Sequence, residues 1–479
     1  MEPEVNIETV KKRTVSGAAL LTARTFLIQA ISFSASILLT VFLNPVQFGV
    51  FFLVSAVINF LAYFGDIGFA ASLIQKKEKL TDLDLKTIFT TQQVMIAVLI
   101  LVVLMFSSLI KNIYGFGEDG VYLLWALAFS LFLSSLKTIP SVLMERKLEF
   151  NKLIIPQIAE TLVFNITAVY LAWKGFGVTS FTVAVLARGV TGLILTYLIQ
   201  PWLPSLAFSK SALSSMLKFG IPYQLNTLLA MVKDDGMTLF LGSILGPTGV
   251  GLLGWAQKWA FAPLRFFMDQ VIKVTFPAFS RMQDNKKELS NALSKSIFYI
   301  CLLVFPSLTF LIIVAPSLVE VIPKYNKWSP ALLALMLLSA NAAIAAVTTP
   351  ITNAFNAIGK ISLTFKLMIM WTTLTWLFVP ALAISYGVSG AALGFVLVGL
   401  SSVVALYLAK KYVEINYLEI LLKPILISGV VLGVVFAVKS LISVSVLQIS
   451  LMSLFGFIVY IIATLILEPN ILNYLKRKK

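Results

Sequence analysis

Residues 43–78 read LNPVQFGVFFLVSAVINFLAYFGDIGFAASLIQKKE. An Asn44-Pro45 turn opens an apolar run that continues to Gly65, and Asp66-Ile67-Gly68 interrupts it before a basic stretch at Lys76-Lys77. About 20 apolar residues are needed for a helix to cross about 30 Å of hydrocarbon. The run is continuous, whereas a barrel strand would alternate over about ten residues, so a helix is expected. Similar runs start near Val15, Gln47, Thr87, Gly120, Phe150, Gly177, Lys218, Gly249, Asn291, Ser329, Ile361, Val388, Pro424 and Leu447. Fourteen transmembrane helices are therefore expected. Hydrophobic residues make up 59% of the 479 and charged ones 12%, and the loops are too short for a soluble domain. The fold class is an all-α polytopic membrane protein.

The basic residues fix the expected orientation. Taking the loops alternately, one side receives Lys11, Lys12, Arg13, the Lys76–Lys86 group, Arg146, Lys147, Lys152 and their successors to Lys476–Lys479, which is 25 residues. The opposite loops hold Lys111, Lys174, Lys324, Lys327 and Lys439. The positive-inside rule places the rich side in the cytoplasm, with both termini there, in a cytoplasmic (inner) membrane. It also accounts for most of the net charge of +16, so no nucleic-acid partner is called for. The first run is full length with no cleavage site after a short core, so it reads as a permanent helix and not a signal peptide. Cys301 is the only cysteine, and there is no histidine, so neither a disulfide within the chain nor a histidine base, shuttle or metal ligand is available.

An internal repeat organises the spans. Leu43-Asn44-Pro45 with Gly49, and Leu245-Gly246-Pro247 with Gly251, are 202 positions apart. Asp66 and Asp269 differ by 203; Pro140 and Pro350, Gly177 and Gly387, and Tyr197 and Tyr407 each differ by 210. Six spans per copy give parallel repeats about an axis along the membrane normal. The expected organisation is an N-lobe at 1–205 (helices 1–6), a C-lobe at 206–411 (helices 7–12), and helices 13–14 with a basic tail at 412–479. Two facing lobes imply a central cavity and alternating access.

Charges inside spans cost about 2.5–3.5 kcal/mol each at the bilayer centre on insertion scales, so they mark polar paths. Span eight carries Lys258, Arg265, Asp269 and Lys273, spaced by seven, four and four, which puts them on one face. That face reads as an anion-binding wall, or as an internal Arg265–Asp269 bridge that leaves Lys258 unexplained. Arg24 lies deep in span one, where it meets a lipid phosphate, snorkels or pairs with an acid. Span seven carries Lys233-Asp234-Asp235-Gly236; one acid neutralises Lys233, the other is open to a coupling cation, and Gly236 suggests a local break in the helix. Lys137, Glu160 and Arg188 fit ion pairs within a lobe, and the matching places of Asp66 and Asp269 fit a structural or inner-gate role. Seven basic against five acidic residues within the spans favour an anionic substrate. The candidate substrate-binding residues are thus Arg24, Lys258, Arg265, Arg188 and Lys233. The candidate coupling or gating residues are Asp234, Asp235, Asp269, Asp66 and Glu160. Trp255 or Trp259 offers a sugar-stacking surface, while the tryptophans as a group read as belt or packing residues.

The 43–78 stretch, PSVLMERKLEFNK at 140–152, residues 218–259, FPAFSRMQDNKKEL at 276–289 and NAFNAIGK at 353–360 together resemble the polysaccharide-transporter (Wzx-type flippase) branch of the multidrug/oligosaccharidyl-lipid/polysaccharide exporter superfamily. The resemblance covers nearly the whole chain. It implies a fourteen-helix flippase for a polyprenyl-pyrophosphate-linked oligosaccharide in surface polysaccharide biosynthesis, with basic residues of spans one and eight on the pyrophosphate. Arg24 and Lys258 or Arg265 occupy comparable spans. The implied partners are that lipid-linked oligosaccharide, membrane lipids, a polysaccharide polymerase and glycosyltransferases. No enzymatic residue, metal or cofactor is implied beyond a coupling Na+ or H+. Asn44 in place of glycine, and Tyr325-Asn326-Lys327-Trp328 in place of a Gly-x-x-Trp pattern, depart from the family. The rival readings are a cation-coupled drug antiporter of the same superfamily and a membrane glycan polymerase. The extra spans and basic excess oppose the first, and the short outer loops without a carboxylate pair oppose the second.

Overall fold

The computed structural model describes residues 7–76 and 78–469, with side chains left out at 7–19, 21, 22, 219, 221–223 and 225–227. The side chains of Lys11, Lys12, Arg13 and Asn226, together with Lys77 and the basic run 476–479, lie outside the described residues. Every described element is helical. The chain divides into two compact units, Met1–Gly251 and Leu252–Lys479.

The first unit holds α1 (Ile7–Phe42), α2 (Pro45–Gly65), the short α3 (Phe69–Gln75), α4 (Asp82–Tyr114), α5 (Glu118–Leu136), α6 (Thr138–Arg146), α7 (Phe150–Trp173), α8 (Thr179–Ile199) and α9 (Lys210–Met231). A π-helical turn, Val232–Gly236, joins α9 to α10 (Met237–Arg281), which runs on into the second unit. That unit continues with α11 (Lys286–Val321), a 3-10 turn at Asn326–Ala331, α12 (Leu332–Ala357), α13 (Ile361–Leu400), α14 (Val403–Ala409), α15 (Tyr417–Leu441) and α16 (Val446–Leu467).

Twelve runs among the described residues are long and apolar enough to cross a membrane. Two are of double length, Leu228–Arg281 with 54 residues and Ile361–Ala409 with 49. The expected fourteen counts each of these as a pair. The longer would reach about 80 Å as one straight helix, against about 30 Å of hydrocarbon. In α13 the reversal is visible. Gly387 takes φ 60° after a non-helical Tyr386, and a Cβ built on Gly394 would lie 2.7 Å from the Cα of Val379. Residues fifteen apart would be about 22 Å apart in a continuous helix. The chain therefore folds back into a hairpin. Gly177, the repeat partner of Gly387, has φ 58°, and Gly246 breaks α10 with φ 63°.

Asn44 does by capping what Gly246 does by backbone freedom. Its Oδ1 accepts the Gln47 N–H at 2.9 Å, and Gln47 Oε1 accepts the Asn44 N–H at 2.8 Å, ahead of Pro45 at the first helical position. A second capping box starts α4, where Thr81 and Asp84 exchange the same bonds and Lys76 pairs with Asp84 at 2.8 Å.

Within the first unit α2 runs antiparallel to residues 224–247. Tyr63 Oη donates to the Gln224 carbonyl at 2.7 Å, Gln224 Nε2 to the Tyr63 carbonyl at 3.2 Å, and Asn59 Nδ2 to Asp235 Oδ1 at 3.5 Å. At the far end the two repeated Pro-x-x-x-Gly turns meet reciprocally. A Cβ on Gly49 would strike the Pro247 carbonyl, and a Cβ on Gly251 the Pro45 carbonyl. Only glycine lets the two backbones approach this closely.

Gly49→Val is expected to lower stability by about 1–3 kcal/mol through overpacking. Gly433→Ala, where a Cβ meets open space on α15, is expected to be neutral or stabilising by up to about 1 kcal/mol. Thermal unfolding of the detergent-solubilised variants checks both; equal melting points would contradict the contact.

Candidate functional site

The first unit holds a partly open polar cavity of 270 Å³ lined by Asp66, Lys137, Glu145, Gln157, Glu160 and Thr196, among others. Its walls come from the end of α2, the α5–α6 junction, α6, α7 and α8. The ion pair at its heart is Lys137 Nζ with Glu160 Oε1, both largely buried. Arg188 on α8 places its Nε 3.8 Å from the other carboxylate oxygen of Glu160. Gly192, one turn further along α8, makes room for the pair: a Cβ there would overlap the Glu160 carboxylate and lie 2.7 Å from Lys137 Nζ. Two charges taken out of water are tolerable only with such partners.

Arg24 approaches the same region from α1. Its Nη1 donates to Gln157 Oε1 at 2.5 Å, and its buried Nε has no hydrogen-bond partner. Gln157 and Glu160 are three apart on α7, hence on one face. Pro156, just before them, removes one backbone donor from the ladder.

Asp66 is a cap. Its Oδ1 accepts the N–H groups of Phe69 at 2.9 Å and Ala70 at 3.4 Å, starting α3. The other end of α3 is held by Arg146, whose guanidinium donates to the carbonyls of Leu73 at 2.6 Å, Lys76 at 2.7 Å and Glu78 at 3.2 Å. A cation on these carbonyls also opposes the negative helix end. Glu145, one residue earlier, has its carboxyl pushed up by burial.

In span seven the local irregularity at Gly236 takes the form of the π-helical turn, a feature frequent at functional sites. Lys233 pairs with Asp234 at 2.7 Å, while Asp235 meets Asn59. In the second unit α10 presents Lys258, Arg265 and Lys273 on its exposed face with Asp269 partly exposed beside them, and it buries Trp255, Ala256, Ala260, Leu264 and Met268 on the other. Trp255 does not offer a sugar-stacking face. It is 4% exposed and stacked on the fully buried Trp328, ring centroids 5.3 Å apart at 12°. Among the described residues no group of three His, Cys, Asp or Glu side chains could hold a metal ion.

Among the sequence candidates the structure thus joins Arg188 to Glu160, with Lys137, and brings Arg24 to their wall through Gln157. Gln157, Gly192 and Arg146 are not found by a search for charges within spans. The spacing of Gln157 from Glu160 is the one available sequence signal, and Arg146 has none.

A family model described as "Polysaccharide biosynthesis protein" matches residues 38–333, more than half of the chain. The chain belongs to this family. Lipopolysaccharide biosynthesis protein WzxC of Escherichia coli (strain K12) is 25% identical over 404 residues, which are 83% of this chain and 81% of that protein. The probable low-salt glycan biosynthesis flippase Agl15 of Haloferax volcanii is 22% identical over 451 residues, 89% of this chain and 90% of its own. Among solved structures, the lipid II flippase MurJ in an inward closed conformation superposes with a TM-score of 0.77 at 16% identity, covering 95% of this chain and 100% of that one. An inward-facing multidrug-resistance MATE transporter of the MOP superfamily gives 0.62 at 15% identity, covering 80% and 94%. These superpositions show that the chain shares their multi-pass, all-helical fold.

Removing one partner of the Lys137–Glu160 pair, as in Glu160→Leu or Lys137→Met, is expected to cost about 3–5 kcal/mol, and the double variant Lys137→Met/Glu160→Leu to regain most of it. A double-mutant cycle on unfolding measures the coupling, and additive losses would contradict the pair. For Glu145 the sign is opposite to that of a paired carboxylate. A raised folded pKa means stability held at low pH and lost as pH rises through that value. Glu145→Gln is therefore expected to raise the melting point at neutral pH, with the gain shrinking as pH falls through the raised folded value and gone by about pH 4, where the unfolded carboxyl is protonated too.

Proposed function

We propose that this protein is a flippase that moves a polyprenyl-pyrophosphate-linked oligosaccharide across the cytoplasmic membrane for surface polysaccharide assembly. The observation that carries this reading is Arg24. It is a guanidinium inside a membrane-spanning helix, held by a neutral amide, with a buried Nε–H that has no acceptor. A donor left unpaired away from water is costly unless a ligand uses it. A diphosphate is the natural complement, because guanidinium donors match phosphate oxygens in pairs. The names of WzxC, Agl15 and MurJ support the substrate class.

In this reading the lysine-rich loops and both termini face the cytoplasm. The Gly49–Gly251 contact then closes the outer end, and the Asp66–Arg146 region faces inward. The lobes are 1–205 and 206–411, and residues 412–479 form the appended pair and tail. Substrate contacts come from Arg24, Lys258, Arg265 and Lys233. Arg188 serves the lobe's internal network with Glu160. A Na+ or H+ couples transport at Asp235, beside the π-helical turn that lets α9 and α10 shift register, with Asp234 balancing Lys233. Asp269 and Asp66 belong to the inner gate. The polymerase and glycosyltransferases of the same glycan are the partners.

Arg24→Ala and Arg265→Ala are each expected to abolish surface-glycan export in a complementation assay while the protein still inserts in the membrane. Full export by the double variant would refute the reading.

A further inference from the structure

The first unit holds its membrane-embedded cations in two different ways. Lys137 and Arg188 face a carboxylate, that of Glu160. Arg24 faces the amide oxygen of Gln157 at 2.5 Å, and among the described residues no carboxylate lies within ion-pair distance of it. Both acceptors stand on one face of α7, three residues apart, and both line the same polar cavity. One cancels charge; the other fixes direction and leaves the charge intact.

We propose that Gln157 is a positioning residue for anion recognition, orienting the Arg24 guanidinium without neutralising it. The proposal rests on the reading of Arg24 as the residue that meets the substrate diphosphate. A guanidinium is planar, and its five N–H donors lie in a fixed fork. One bond from a side chain anchored on a neighbouring helix sets the plane of that fork and leaves the buried Nε–H without a protein acceptor. Pre-set orientation of this kind strengthens binding because less freedom is lost when the ligand arrives. A purely structural tether would be better served by a glutamate, which has similar length and forms a stronger, charge-assisted bond. For anion recognition glutamate is the wrong choice, since its carboxylate would compete with the diphosphate. Stability and binding therefore respond in opposite directions to Gln157→Glu, and this separates the two roles.

The test uses the full-length, detergent-solubilised protein, with inorganic pyrophosphate and a polyprenyl diphosphate as probes in calorimetric titrations, alongside thermal unfolding. Gln157→Glu is expected to keep or raise the melting temperature and to weaken probe binding by about tenfold or more, the scale of one lost charged hydrogen bond. Gln157→Met, similar in length but without an acceptor, is expected to weaken binding by about two- to fivefold through lost orientation. Wild-type affinity in both variants, with binding lost in Arg24→Ala, would overturn the role of Gln157 and keep that of Arg24. Wild-type affinity in Arg24→Ala would overturn the diphosphate reading itself. If Gln157→Glu does not fold, Gln157→Met decides: unchanged affinity there overturns the proposal.

Discussion

A charge in a membrane must be given a partner, and this constraint shapes the first unit. Glu160 accepts both Lys137 and Arg188, and α8 gives up a side chain at Gly192 so that the pair fits. α7 lacks one backbone donor at Pro156, just before Gln157 and Glu160. The cavity, the ion pair and the placement of Arg24 follow from one requirement: polar groups removed from water are satisfied by one another. An apolar lobe of the same shape would need none of these features. Their presence gives the lobe a polar interior in which a cation such as Arg24 can be kept.

Glycine carries the second constraint. Helices in lipid gain little from burying apolar surface against each other, so close backbone approach becomes the source of packing energy. The reciprocal contact of Gly49 with Pro247 and of Gly251 with Pro45 applies this to the two copies of one repeated turn. The same turn is built from different residues, Asn44 in a capping box and Gly246 in a left-handed conformation. The Pro-x-x-x-Gly spacing is held in both because the contact itself needs it.

These features bear on transport in a specific way. A flippase must offer a charged headgroup a polar path while sealing one end of it. In the proposed orientation the glycine crossing supplies a seal held by close packing. The charge network supplies a polar interior that remains within one unit. The pairs Lys286–Glu414 and Lys423–Glu468 likewise join residues within the second unit.

Much of this was legible in the sequence. Span positions follow from apolar run length, and most run starts fall within a few residues of the helices. Gly177 and Gly387 could be matched through their offset, and both adopt the left-handed backbone. The charged face of α10 was readable because Lys258, Arg265 and Lys273 repeat at helical spacing, and the structure leaves that face exposed and buries the opposite one. Trp255 packs, as the tryptophans as a group were read to do, but sequence could not separate that from sugar stacking, because an aromatic side chain has the same signature whether it stacks on a sugar or on Trp328. The sequence by itself determined where helices run, where they reverse and which of them carry charge, because these depend on local pattern and on the solvent. Tertiary structure alone decided which acceptor each cation receives. Gln157 lies 133 positions from Arg24, and only the packing of α1 against α7 brings an uncharged oxygen to that guanidinium while the carboxylate one turn away is engaged elsewhere.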